Sequence, residues 1–367
     1  AALPPNHMLP TFTIHPEPGF DGFVPRRRMG EERPMVERLA RRYARLDPHF
    51  TCNSGYEHDH RCRELFHLTG TPSGLSTMYV FHGLLSEASK MGCDVLLLAE
   101  WGNLTFSDRG EAGFVEYFLD GSWRQLWLAL SRLPRQEGAI FRRFLVRTIA
   151  AFLPESSWRL LRRMMRPGRA NLADVVRPLA ADYRRASGAE SRLRASGLPE
   201  RYQPRSRRHS RALLFGNGNT AEIHQGFEQM YGVALRDPTA YRPFVEYCLS
   251  LPTKMFMRDG QMRWLAVQMA RGMIPDEQVN APNGWWDADW HLRIGRRRTE
   301  WIAELDRMER DERIGRMLDI PRLRAALEDW PDQTEVDPQR AFAAQLAIPA
   351  ALSATRFINY VEGRNEH

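Results

Sequence analysis

Cys52, His58, His60, Cys62 and His67 are of the types that bind zinc, whose usual donors are thiolate sulfur and imidazole nitrogen. Their spacing is not that of paired ligand knuckles such as Cys-x-x-Cys, so they read as packing side chains rather than a metal centre. Gly216-Asn217-Gly218-Asn219-Thr220 has the glycines to cradle a phosphate, but no strand signal precedes it, and it reads as a turn and helix cap. Glu100 is a stronger candidate. It follows the apolar run Asp94 to Leu98, and groups at the carboxyl end of a buried parallel strand face the ligand crevice of an open α/β sheet. The basic run Arg205-Ser206-Arg207-Arg208-His209-Ser210-Arg211 has no interleaved aromatic residues, so it reads as a solvated face and not as a nucleic-acid arm. Trp285, Trp286 and Trp290 read as core or interface packing.

Three apolar stretches are expected as strands: Thr11 to Ile14, a weaker one near Phe50 to Cys52, and Asp94 to Leu98, which lacks alternation. Helical periodicity lies between them, over Glu32 to Leu46 and Ser76 to Lys90. Alternating strand and helix predicts a parallel sheet covered by helices. Beyond Gly110 the segments Tyr117 to Leu133, Ala139 to Leu153 and Trp158 to Met165 are helical with no clear strand, and helices resume from Ala212 to the end, broken at prolines such as Pro238, Pro252 and Pro275. The division is therefore an α/β part over 1–110 and a largely helical part over 111–367, with a basic surface loop at about 166–211.

Composition sets the outer bounds. The 367 residues are 43% hydrophobic and 26% charged, which is ordinary for a folded chain with one large core or two smaller ones. No apolar run of about 18 residues exists, the best candidate being interrupted by Arg147, so no membrane partner is expected. Four scattered cysteines make no disulfide framework and fit a reducing cytoplasm. The net charge of +7 is carried by arginine, Lys90 and Lys254 being the only lysines, and the planar guanidinium suits phosphate and carboxylate ligands. The start at Ala1, without a secretory pattern, reads as truncated or processed.

Three segments, in order, carry a resemblance to a known family: Leu9 to Ile14 followed by Gly19-Phe20-Asp21; Asp94 to Leu98 followed by Ala99-Glu100-Trp101-Gly102-Asn103-Leu104-Thr105-Phe106-Ser107; and Gly232 to Tyr241, continuing through Leu249-Ser250-Leu251-Pro252 to Arg258-Asp259-Gly260 and Arg263-Trp264-Leu265. Gly272-Met273-Ile274-Pro275, Ala288-Asp289-Trp290 and Tyr360 to Asn365 extend it over nearly the whole chain. The set resembles the ATP-dependent synthetase domain of the asparagine synthetase family. Its details are similar to the divergent branch that shares its layout with lasso-peptide macrolactam cyclases.

The resemblance implies an adenine-nucleotide α-hydrolase-like (PP-loop) α/β fold, incomplete here because the family's first strand and S-G-G-x-D-S phosphate loop would precede Leu9. It implies ATP and Mg2+, a small-molecule or peptide carboxylate that is adenylated, and an amine that displaces AMP. A glutaminase domain or subunit would be supplied upstream. Residue by residue, Glu100 matches the carboxylate that handles the adenylated intermediate, and Asn103 stands where the family has a magnesium-binding Asp. Leu104 replaces the family's adjacent Glu, and Asn283, before Gly284, replaces its Lys. Ile14 matches the strand position whose backbone meets adenine, and Ala99 and Gly102 match loop positions beside the nucleotide. Arg236 matches the family's Arg and reads as a salt-bridge partner. Macrolactam closure is the alternative within the family, and a non-catalytic nucleotide- or protein-binding relative is the alternative of another class.

Overall fold

The structure is a computed structural model and describes residues 4, 7–20, 24, 28–72, 79–165, 176–195, 205–215, 220–279, 281, 283–284, 288–328, 330 and 343–364. Eight short strands are present among them: β1 (Leu9–Ile14), β2 (Arg28–Met29), β3 (Leu46–Thr51), β4 (Val95–Leu97), β5 (Ala234–Arg236), β6 (Met257–Arg258), β7 (Gln261–Met262) and β8 (Asn283–Gly284). They form four two-stranded sheets, β1–β3, β2–β8, β4–β5 and β6–β7, of which the first three are parallel. Helices make up most of the remainder, so the chain is a mixed α/β protein with small parallel sheets.

The β1-to-β3 crossover is the helix Arg33–Arg42, whose first turn carries Pro34, a residue with no N–H to leave unpaired there. β1 and β3 run in register from Leu9↔Leu46 to Ile14↔Thr51. The weak strand expected near Phe50 starts earlier, at Leu46, because Pro48 interrupts the propensity signal yet is tolerated on a strand paired along one edge.

β5 is a strand inside the part after residue 110 that was expected to be largely helical. It pairs with β4 from Val95↔Ala234 to Leu97↔Arg236 and brings a segment distant in sequence beside the first part. Three residues beginning with Ala are too few to show a strand period, which is why the pattern concealed them. The core follows the same grouping. Leu65, Tyr79, Val80, Phe81, Leu85 and Ala88 pack with Ile223, Phe227, Val233 and Leu235, and Phe12, Ile14, Leu96 and Leu98 lean on that cluster. Each fully buried side chain of this size contributes about 1.5–3 kcal/mol. The helix Thr220–Tyr231 approaches the helix Cys62–Thr69 so closely that a Cβ at Gly226 would meet Leu65 and Thr69 at 2.8 Å each.

The long helix Trp290–Arg310 anchors a second core with Trp301, Leu305, Ile320, Leu323 and Leu352. Trp290 lies in this core, with its ring edge-on to Trp330 at 5.7 Å. Buried Arg293 of that helix joins it to the end of β1: it donates to Glu17, to the Asn53 carbonyl at 3.0 Å and to the Tyr56 carbonyl, and its guanidinium lies over the Tyr79 ring.

Candidate active site

Beyond β4 the Leu98 amide still donates to the Arg236 carbonyl at 2.9 Å, and the chain then turns through a 3-10 helix, Glu100–Leu104. Asp237, at the end of β5, pins that turn by accepting from the Trp101 amide at 2.9 Å and from the Thr239 amide at 2.7 Å. Residues three apart eclipse one another in a 3-10 helix, so Glu100 and Asn103 share a face. Glu100 Oε2 lies 3.1 Å from His224 Nε2, on the Thr220–Tyr231 helix that packs the sheet. The strand end thus presents a carboxylate held by an imidazole, with an amide beside it.

A cavity of about 370 Å³ opens next to Asn103 and is lined by Arg109, Arg147, Arg211 and Arg263 against Asp108 and Glu111. Both acids are already engaged. Asp108 is fully buried and accepts from Arg211 through both oxygens, at 2.6 and 3.1 Å, while Glu111 lies 3.4 Å from Arg109 and 3.9 Å from Arg147. Four guanidiniums facing two carboxylates leave the cavity cationic, the electrostatic setting of an anion site.

Arg263 is positioned by backbone geometry. Asp259 and Gly260 both have positive φ, 48° and 76°, forming the tight Asp-Gly hairpin turn between β6 and β7. The strand then ends and Arg263 takes a left-handed conformation, φ 54°, immediately before the helix Trp264–Ala270. Its Nη1 donates to Asn103 Oδ1 at 2.8 Å and to Ser107 Oγ at 2.8 Å. Burial and the neighbouring Arg109 push its pKa down.

The basic segment near 205–211 departs from the surface loop expected at about 166–211. Helices Ala181–Ala186, Ala189–Ala195 and Arg207–Phe215 occupy its described parts. Arg207 is 4% exposed, donates to the carbonyls of Cys248, Leu249 and Leu251, and stacks over Phe256. These arginines were masked in the sequence by their neighbours Arg205 and Arg208, which are exposed.

Of the residues expected at the site, Asn103 lines the arginine cavity, Glu100 stands on the same turn, Gly102 is buried and Ala99 is exposed. Ile14 packs on the core shared with Leu96 and Leu98 but does not line that cavity. Arg236 is an exposed ion-pair partner of Glu228 at 3.1 Å. His224 carries no signal of its own in the sequence, whereas Ser107 and Arg263 fall inside segments that mark the family. Gly216 to Asn219, Trp285 and Trp286 lie outside the described residues. No group of three or more metal-binding side chains comes together among the described residues. His58 is instead packed between Tyr79 and Trp301, ring centroids 4.4 and 5.4 Å away, and burial pushes its pKa down to about 3.

The family model for asparagine synthase matches residues 5–353. The chain belongs to the asparagine synthase family. No curated protein and no solved structure matches it. The family uses ATP to drive ligation, so membership makes ATP the expected nucleotide. The described asparagine synthase loop fits ATP through its phosphates, since the arginine cavity favours an anion. Among the described residues it does not fit magnesium: Asn103 Oδ1 accepts from Arg263, Glu100 faces His224, and Asp108 and Glu111 already face arginines. Among the described residues no helix is long and apolar enough to cross a membrane.

Proposed function

We propose that this chain uses ATP to activate a carboxylate as its acyl-adenylate and passes the acyl group to an amine, forming an amide. The observation that carries this reading is the pairing of Glu100 with His224 at the carboxyl end of β4, on the same turn as Asn103, which lines the arginine cavity. ATP supplies the activation, with AMP as the later leaving group. The arginine cavity would hold the released pyrophosphate. Glu100 would accept the proton that the attacking nitrogen loses, and His224 would orient its carboxylate. Positioned cationic groups of this kind commonly supply several kcal/mol by meeting charge as it develops.

The nearest nucleotide-facing residues would be Ile14, Ala99 and Gly102. Glutamine-derived ammonia would come from a separate glutaminase unit, whereas closure of a peptide macrolactam would use an amine of the same substrate. A nucleotide- or protein-binding relative without turnover is a second reading, favoured by Asn103 and Leu104 where the family has acids.

Pyrophosphate release from ATP, followed with a panel of carboxylates and with hydroxylamine as amine, tests the proposal. Release by the native protein is expected, with Glu100→Gln slowing amide formation by about 10²–10⁴-fold, the range of a general base, and His224→Asn shifting its pH profile. Amide formation unchanged by Glu100→Gln would remove that residue from the mechanism, and no release with any carboxylate would favour the binding reading.

A further inference from the structure

Arg263 also borders a second, more apolar groove of about 450 Å³, within the size range of small-ligand sites. The walls are Met29 and the helix residues Met35, Val36 and Leu39 on one side, with Val267 and Ile274 on the other. Arg263, Ser107, Glu32, Gln278 and Gly284 are also among the lining residues. Glu32 sits hard against Gly284, where an added Cβ would overlap its carboxyl oxygen. Burial, together with neighbouring Glu31, pushes the Glu32 pKa up, so that this acid repels an anion less than an ordinary carboxylate would.

Three independent features single out Arg263. Its backbone is held in a left-handed conformation that costs a non-glycine residue on the order of 1–3 kcal/mol, and such strain clusters at functional sites. Its guanidinium is half-buried, yet it makes no ion pair among the described residues, donating only to the neutral oxygens of Asn103 and Ser107. It also stands at the junction of the two cavities, one cationic and one apolar. A guanidinium that no acid among the described residues reaches directly, Asp108 and Glu111 acting on it only across the neighbouring cavity, is at the edge of an apolar groove complementary to a carboxylate borne on an apolar body.

We infer that the groove takes a monocarboxylate with an apolar chain, its carboxylate bound by Arg263 and its body lying between Met35, Val36, Leu39 and Ile274. Aspartate is disfavoured there, because its second carboxylate would meet methionine and aliphatic walls and the acid Glu32 and would lose hydration without a cationic partner. The inference rests on the ligase reading and narrows it to the carboxylate that is activated.

Octanoate binding to the native protein, measured calorimetrically without ATP and compared with aspartate and with inorganic pyrophosphate, is the test. Octanoate is expected to bind at least tenfold more tightly than aspartate. Arg263→Met should weaken octanoate at least tenfold with the thermal midpoint retained, Arg263→Lys should stay within about threefold of native, and Val36→Glu should weaken it at least tenfold. Octanoate binding no tighter than aspartate overturns the inference. So does an Arg263→Met protein that keeps octanoate but loses pyrophosphate, which would assign Arg263 to the phosphate end. If Arg263→Met does not fold, Val36→Glu decides, and unchanged octanoate affinity in it overturns the groove. Binding without pyrophosphate release in turnover assays refutes the ligase reading alone, whereas release with aspartate but not octanoate refutes this inference alone.

Discussion

His58 gives the protein a calculable weakness to acid. It is 4% exposed, packed between Tyr79 and Trp301, and faces Arg293, Arg296 and Arg297 with Asp59 as the nearby counter-charge. Burial and the arginines hold its pKa at about 3, against an ordinary value of 6.5. The unfolded chain therefore takes up the proton first. Its contribution to stability is present above pH 6.5 and is lost as the pH falls from there toward 3. For those two values the linkage relation gives a loss of about 2 kcal/mol between pH 7 and pH 5. Phe at position 58 keeps an aromatic ring and cannot titrate. Urea unfolding of native protein and His58→Phe at both pH values should show the native protein losing about 2 kcal/mol more than the variant. An equal loss in the two proteins would refute the assignment of acid sensitivity to this ring. His82, whose pKa burial also lowers to about 3, should add a similar slope in both proteins and so cancels from the difference.

Arg293→Met should lower unfolding free energy by about 3–5 kcal/mol, because it leaves buried Glu17 with Arg296 alone and removes donors from the Asn53 and Tyr56 carbonyls; urea denaturation at pH 7 reads this directly. Gly284→Ala should cost about 1–3 kcal/mol by overpacking against Glu32. The pair Gly284→Ala and Glu32→Ala should therefore show a favourable coupling in a double-mutant cycle, and additivity would contradict the close approach. Arg207→Met should destabilise by about 3 kcal/mol or more, since three backbone carbonyls lose their donor together with the stack on Phe256, and a thermal midpoint unchanged by this substitution would contradict its structural role.

What could be read from residues alone depended on how local the determining physics is. β1 and β4 announce themselves because Phe12 and Ile14 alternate with polar residues and Val95 to Leu98 is an unbroken apolar run; Phe12, Ile14, Leu96 and Leu98 lean on one core, while Val95 and Leu97 stay exposed. Asp259 and Gly260, given above only as part of the resemblance, are residue types that tolerate the positive φ of their turn. Glu100 was legible because a strand end is a place as well as a residue, and it does occupy that place. β5 was not, since its pairing with β4 is decided by a partner more than a hundred positions away. His224 looks like any helix histidine until the fold sets its ring beside Glu100. Arg207 and Arg211 sit in a run whose polarity argues for solvent, and only Asp108 and the carbonyls of Cys248 to Leu251 explain their burial. Ile14 was expected at the nucleotide, and its place on the shared core leaves that role to be tested through the adenine-binding step.

The parallel pair β4–β5 also sets a timetable for biosynthesis. Leu97 leaves the ribosome well before Arg236, its partner, and roughly 140 residues must be added in between. At about 5–20 residues per second that interval lasts roughly 7–28 s. During it the apolar edge of β4 stands unmatched in the nascent chain, and closing so long a loop is slow compared with forming the helices on either side. The Glu100–Leu104 turn, pinned by Asp237, can therefore take shape only late in translation, so slowing elongation between these two strands should raise the demand for chaperones that shield exposed strands.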